Sequence, residues 1–163
     1  MSTRSRTGFP IARRSFTKRS RGVAMVEFTI VLPVILFMIL GVTELSRVMI
    51  RYNALTKAVR DGARHASALA LLGTTGTVMI DQALTDAVRN VVVYGNVAGT
   101  GTPVLEGLAA GQVTLSAVGA EEIRVDVTYP YVPLLGNSIP SFGTGSDLSA
   151  AFTMQASVNM RAL

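Results

Sequence analysis

Few side chains in this sequence are equipped for chemistry. It holds one histidine, His65, and no cysteine, which excludes thiolate nucleophiles, thiolate metal sites and disulfides. His65 has no second imidazole with which to share a metal ion, and it reads as a surface residue of a helix. No G-x-S-x-G, H-E-x-x-H or Cys/His pair occurs, and no lysine follows the glycines of residues 95–111 as a phosphate-binding loop requires. The acids towards the C-terminus are scattered. The pattern points away from an enzyme, a cofactor or a metal. The residue that asks for an explanation is Glu27, the one charge between Val23 and Val42. At the centre of a membrane helix an ionisable group costs about 2.5–3.5 kcal/mol, and less near an end. Glu27 stands one turn inside the segment, five residues after Gly22, with Phe28 beside it. Taken alone it fits either a carboxylate reaching back to the interface towards Arg21 or a recognition residue.

The element that positions Glu27 is the run VAMVEFTIVLPVILFMILGV, 20 residues from Val23 to Val42. As a helix it spans about 30 Å, the thickness of a bilayer hydrocarbon core. A chain of 163 residues can hardly enclose a helix that is apolar on every side. Residues 1–22 carry seven basic side chains and no acidic one, whereas residues 23–163 carry eight basic against ten acidic. The formal charge of +5 is therefore a property of the leader, and nucleic-acid binding is not expected. Basic residues directly ahead of an apolar run set topology. They place the N-terminus in the cytoplasm and the C-terminal part outside it.

Three fates of the leader compete. A secretory signal needs a small-residue cleavage site after the apolar run, and Gly-Val-Thr-Glu-Leu-Ser-Arg after Leu40 offers none. Arg13-Arg14, within Ala12–Lys18, are similar to a twin-arginine export motif, but the apolar segment is long and again no site follows. The third fate is a cut ahead of the apolar run, between Gly22 and Val23, which makes Glu27 the fifth residue of the mature chain.

No proline occurs between Val34 and Thr102, so nothing stops the helix at the membrane. Apolar residues recur at helical spacing at Leu45, Val48, Met49, Tyr52, Leu55, Val59, Gly62, Ala63, Ala66 and Leu69. The other face holds Glu44, Arg47, Arg51, Lys57, Arg60, Asp61, Arg64 and His65, with Lys57–Asp61 and Asp61–His65 spaced as i,i+4 pairs. The helix is expected to end near Leu72, ahead of Gly73-Thr74-Thr75-Gly76. From Val23 it would be about 75 Å long if unbroken, with Pro33 a candidate kink.

A second helix is expected over 78–94, with Asp81 in its first turn. After the Gly/Thr-rich loop 95–111 the period switches to two. Val113–Ala117, Ile123–Tyr129 and Leu148–Met160 predict three antiparallel strands with one face on the amphipathic helix. Pro130 and Pro133 are expected to end the second strand, and breakers mark a loop from Leu135 to Asp147. The predicted fold class is α+β: a long N-terminal helix (transmembrane half plus amphipathic half), a second helix, and a small three-stranded antiparallel sheet. The expected boundaries are a leader over 1–22, a transmembrane helix over 23–43, its amphipathic continuation over 44–72 and an extracytoplasmic head over 73–163.

The order of basic leader, Gly22, four apolar residues, Glu27 and an apolar helix resembles the class III signal of type IV pilins. Val23 stands where many of those pilins have Phe. Glu27-Phe28 resembles the TadE and TadF pseudopilins, whose major-pilin counterparts carry Glu-Tyr. Ala58–Ser67 (AVRDGARHAS) is similar to a block of TadE-like domains. Arg60, Gly62, Ala63 and Arg64 match it, while Asp61 and His65 replace the usual Glu and Tyr. Val125–Leu135 and Ala156–Arg161 resemble the end of many TadE-like proteins. The resemblance implies a minor pilin of a Tad/Flp tight-adherence pilus, single-pass in the bacterial inner membrane. It further implies processing at Gly22–Val23 by a prepilin peptidase, and pairing of Glu27 with a neighbouring subunit's new N-terminal amine. The implied partners are that peptidase, a TadF-like minor pilin, the Flp major pilin and the lipid bilayer. The alternative is an uncleaved, membrane-anchored extracytoplasmic adaptor or binding domain.

Overall fold

The computed structural model describes residues 19–71, 77–134, 136, 138–139, 146 and 148–162. The leader up to Lys18, with Arg13-Arg14, and the expected loop Gly73–Gly76 lie outside the described residues. The elements are α1 (Arg19–Leu69), α2 (Gln82–Tyr94), a 3-10 turn (Ala110–Gln112), β1 (Val113–Val118), β2 (Glu122–Tyr131), β3 (Ser138–Ile139), β4 (Leu148–Ser149) and β5 (Phe152–Arg161). This is the expected α+β arrangement.

Two compact units divide at Val42/Thr43. In the first, every described residue is helical, and residues 22–42 are exposed on all sides. Pro33 lies inside α1 without ending it. Residues 19–22, ahead of the apolar run, are already helical, because nothing among them breaks a helix and one glycine costs only about 1 kcal/mol.

In the second unit, Leu55, Val59, Ala63 and Ala66 of α1 are fully buried in one core with Val88 and Val92 of α2 and with the inner face of the sheet. α1 stops at Leu69, three residues short of the expected end. The Ala70 carbonyl accepts from the Met79 amide at 3.0 Å instead of continuing the helical ladder. The same return delays α2, which starts at Gln82 rather than near Val78. The amides of Val78 and Met79 are already engaged, by the carbonyls of Ala120 (3.0 Å) and Ala70. Asp81 is therefore not a first-turn residue but the N-cap, its carboxylate accepting from the Leu84 amide at 2.7 Å. Gly95 closes α2 in the left-handed region at φ 73°, a conformation that suits glycine.

The main sheet has the order β1-β2-β5, antiparallel throughout, with Val113 opposite Val127 and Val125 opposite Val158. β2 alternates cleanly, burying Ile123, Val125, Val127, Tyr129 and Tyr131. Pro130 does not end the strand as expected; it pairs with Thr153 inside it. The reason is the short β1, whose pairing stops at Val127. Beyond that point β2 pairs only with β5 among the described residues, so a proline there has one ladder to disturb rather than two. The third expected strand is split. Leu148–Ser149 pairs with Ser138–Ile139 in a separate ribbon, inside what the sequence presents as a loop, and the long strand starts only at Phe152, opposite Tyr131. The alternation runs unbroken from Leu148, but β2 has no residue left to pair beyond Tyr131.

Candidate functional site

The helical backbone carries the candidate processing and assembly residues. Gly22 and Val23 lie within α1, and a Cβ on Gly22 would meet nothing within 4 Å. Val23, Val26, Glu27 and Ile30 share a shallow surface with Gly22, and Phe28 is exposed beside Glu27. Glu27 is thus displayed on an open, otherwise apolar helix surface.

The block Arg60–Arg64 divides by face. Gly62 and Ala63 are buried, and a Cβ on Gly62 would overlap Cγ2 of Val92 and come within 3.6 Å of Cγ1 of Val88. The glycine is what lets α2 cross α1 at this point. Arg60 and Arg64 point outward, and no ion pair among the described residues uses them. Neither Lys57–Asp61 nor Asp61–His65 is among those pairs. His65 is not the surface residue expected: it is half-buried, and its Nε2 is buried with no hydrogen-bond partner among the described residues.

The densest polar cluster involves residues assigned from the sequence to a solvated helix face. Arg51 Nη1 donates to the Tyr129 hydroxyl at 3.0 Å, and that hydroxyl donates to the Glu106 carbonyl at 2.7 Å. The Arg51 guanidinium also lies over the Tyr131 ring, 5.4 Å from its centroid. The Tyr131 hydroxyl donates to Glu44 Oε1, and the Leu134 amide donates to Oε2 of the same carboxylate at 3.1 Å. Glu44 and Arg51 are two helical turns apart, so they share one face of α1; Tyr129 and Tyr131 are two residues apart, so they share one face of β2. Phe152 packs its ring 5.0 Å from that of Tyr131.

This clamp fastens α1 to the tip of β2, and it gives the Tyr129-Pro130-Tyr131-Val132-Pro133-Leu134 segment a physical role. Burial pushes the Glu44 carboxyl up. The Tyr131 hydroxyl, the Leu134 amide and the nearby Arg47 and Arg51 charges outweigh it, leaving the pKa below the ordinary carboxylate value. Burial, then the hydrogen-bonded Glu44 charge, raise the Tyr131 phenol, against the opposing guanidiniums. The seven-residue spacing of Glu44 and Arg51 was the available sequence signal; their partners, 78 to 90 residues away, were not.

No curated protein and no solved structure matches the chain. A family does: the model described as TadE-like protein covers residues 22–64, from Gly22 through the apolar segment, the Glu44–Arg51 turns and the block ending at Arg64.

Proposed function

We propose that this chain is a minor pilin (pseudopilin) that takes part in assembly of a Tad/Flp-type pilus. Residues 23–43 hold it in the inner membrane, the leader 1–22 lies in the cytoplasm, and the helix continuation 44–72 and head 73–163 lie outside. The observation that carries this reading is the exposure on every side of residues 22–42, a surface that only lipid or the packed helices of a filament can cover, in the stretch that matches the TadE-like family. A prepilin peptidase then cuts between Gly22 and Val23. That bond lies within α1, where a glycine eases local unwinding. The cut leaves Glu27 available to a neighbouring subunit's amine, with TadF-like and Flp subunits as the assembly partners. The role is structural rather than enzymatic.

Mass spectrometry of the protein from its native membranes tests this. A mature chain starting at Val23 is expected. An intact leader in cells that hold the peptidase would instead favour the uncleaved adaptor. Gly22→Leu should abolish processing, because the added side chain obstructs the cut site, and Glu27→Ala should impair pilus assembly while leaving membrane insertion intact. Normal pili from both variants would remove the assignment.

A further inference from the structure

Beside the clamp, wholly within the second unit, lies a cavity of about 470 Å³, lined among others by Arg47, Arg51, Glu106, Tyr129, Val132 and Leu134. Arg47 and Arg51 are half-buried and four residues apart, so one face of α1 presents both guanidiniums to it. Arg51 gives one donor to the Tyr129 hydroxyl. Arg47 takes part in no hydrogen bond or ion pair among the described residues, which leaves its fork of donors free. Glu44, one turn earlier, feels both charges but has both oxygens engaged by Tyr131 and Leu134. Glu106 brings one exposed carboxylate to the lining, in no ion pair among the described residues. We propose that this cavity binds the phosphodiester of a glycerophospholipid headgroup, held between Arg47 and Arg51.

Charge, shape and place along the helix favour that ligand. Two guanidiniums against one carboxylate leave the lining with one net positive charge, which the single negative charge of a phosphodiester balances. The planar fork of a guanidinium matches the oxygens of a phosphate. Val132 and Leu134, 56% and 55% exposed, give the cavity an apolar rim, which suits an ester of acyl chains better than a free anion. The lipid as source rests on the proposed anchoring of residues 23–43 in the bilayer. Counted along α1, Arg47 lies about 6 Å past residue 43 and Arg51 about 12 Å. The headgroup layer is about 5–7 Å thick, and helical side chains lean towards the N-terminal end of their helix, which brings a headgroup within reach of both arginines.

The chain has no tryptophan, so Val132→Trp places a single fluorophore at the rim. The full chain carrying it is purified in dodecyl maltoside and titrated with dihexanoylphosphatidylglycerol, with dihexanoylglycerol, which lacks the phosphodiester, and with inorganic phosphate. The phospholipid should give a saturable change in fluorescence and dihexanoylglycerol none, and phosphate should bind about tenfold more weakly or less. Adding Arg47→Gln should weaken phospholipid binding by about tenfold or more and leave the unfolding midpoint nearly unchanged, because Arg47 bonds to nothing in the described head. Glu106→Gln, which removes the opposing carboxylate, should tighten binding, and Arg60→Gln, farther along the helix, should leave it as it was. No saturable change with the phospholipid, equal binding of dihexanoylglycerol, overlaying titrations with and without Arg47→Gln, or weaker binding by Glu106→Gln overturns the proposal. Inorganic phosphate that binds as tightly as the phospholipid makes the cavity a free-phosphate site and overturns the lipid source. A carbonate wash of native membranes separates the failures: a chain that washes off defeats the anchoring and the lipid source with it, and a retained chain without an Arg47-dependent signal defeats only the headgroup site.

Discussion

Both oxygens of Glu44 are engaged, one by a phenol and one by a backbone amide, so its removal leaves two donors without an acceptor. Glu44→Ala should therefore cost the head about 1–3 kcal/mol, read as a lowered midpoint in thermal or urea unfolding of the detergent-solubilised chain. Tyr131→Phe, which removes one of the two bonds, should cost about 1–2 kcal/mol. The pH dependence has a defined sign. A carboxyl whose folded pKa is depressed stabilises the fold above its unfolded pKa, and that contribution is lost as pH falls through the folded value. Acidification should thus weaken the wild-type head below the ordinary carboxylate pKa, and Glu44→Gln should flatten that part of the profile. Tyr131, raised in the fold, contributes below its unfolded pKa and loses that as pH rises through the folded value, a limb that Tyr131→Phe should erase. None of this was legible at single positions. Glu44 and Arg51 look like any charged residues on a helix's wet side, and Tyr129 and Tyr131 look like members of an alternating core strand.

At the scale of elements, periodicity carried the reading and termination limited it. The two helices and three long strands follow from spacing that burial enforces, as the β2 alternation shows. Their ends depend on which distant carbonyl claims which amide: Ala70 with Met79 and Ala120 with Val78 trim α1 and α2, and no local propensity encodes that. Pro130 misled for a related reason, since a proline is harmful in a strand only where a neighbour needs its N–H. The α1–α2 crossing makes the sharpest element-level prediction. Gly62→Leu forces a side chain into Val92 and Val88 and should destabilise the head by about 1–3 kcal/mol through overpacking, whereas Arg60→Ala, on the outward face, should leave its unfolding midpoint nearly unchanged. Asp81→Ala removes the α2 cap and should cost about 1 kcal/mol, measurable in the same unfolding experiment.

For the whole molecule, the apolar run and the asymmetric charge made a membrane-spanning reading legible from the sequence, and the match over residues 22–64 places the family in the same stretch. What the sequence left hidden was how the head is tied to its helix, because the ties join distant parts of the chain. Glu44 meets Tyr131 and Leu134 across sequence separations of 87 and 90 residues. The ribosome delivers those partners in order, so Glu44 emerges long before anything can bond to it. Until β2 arrives, the core-facing side of α1 has no sheet to cover it, which makes the nascent intermediate sticky and slow to close. Head folding must therefore wait for β2, and a chaperone that shields an unfinished helix would matter most during that interval.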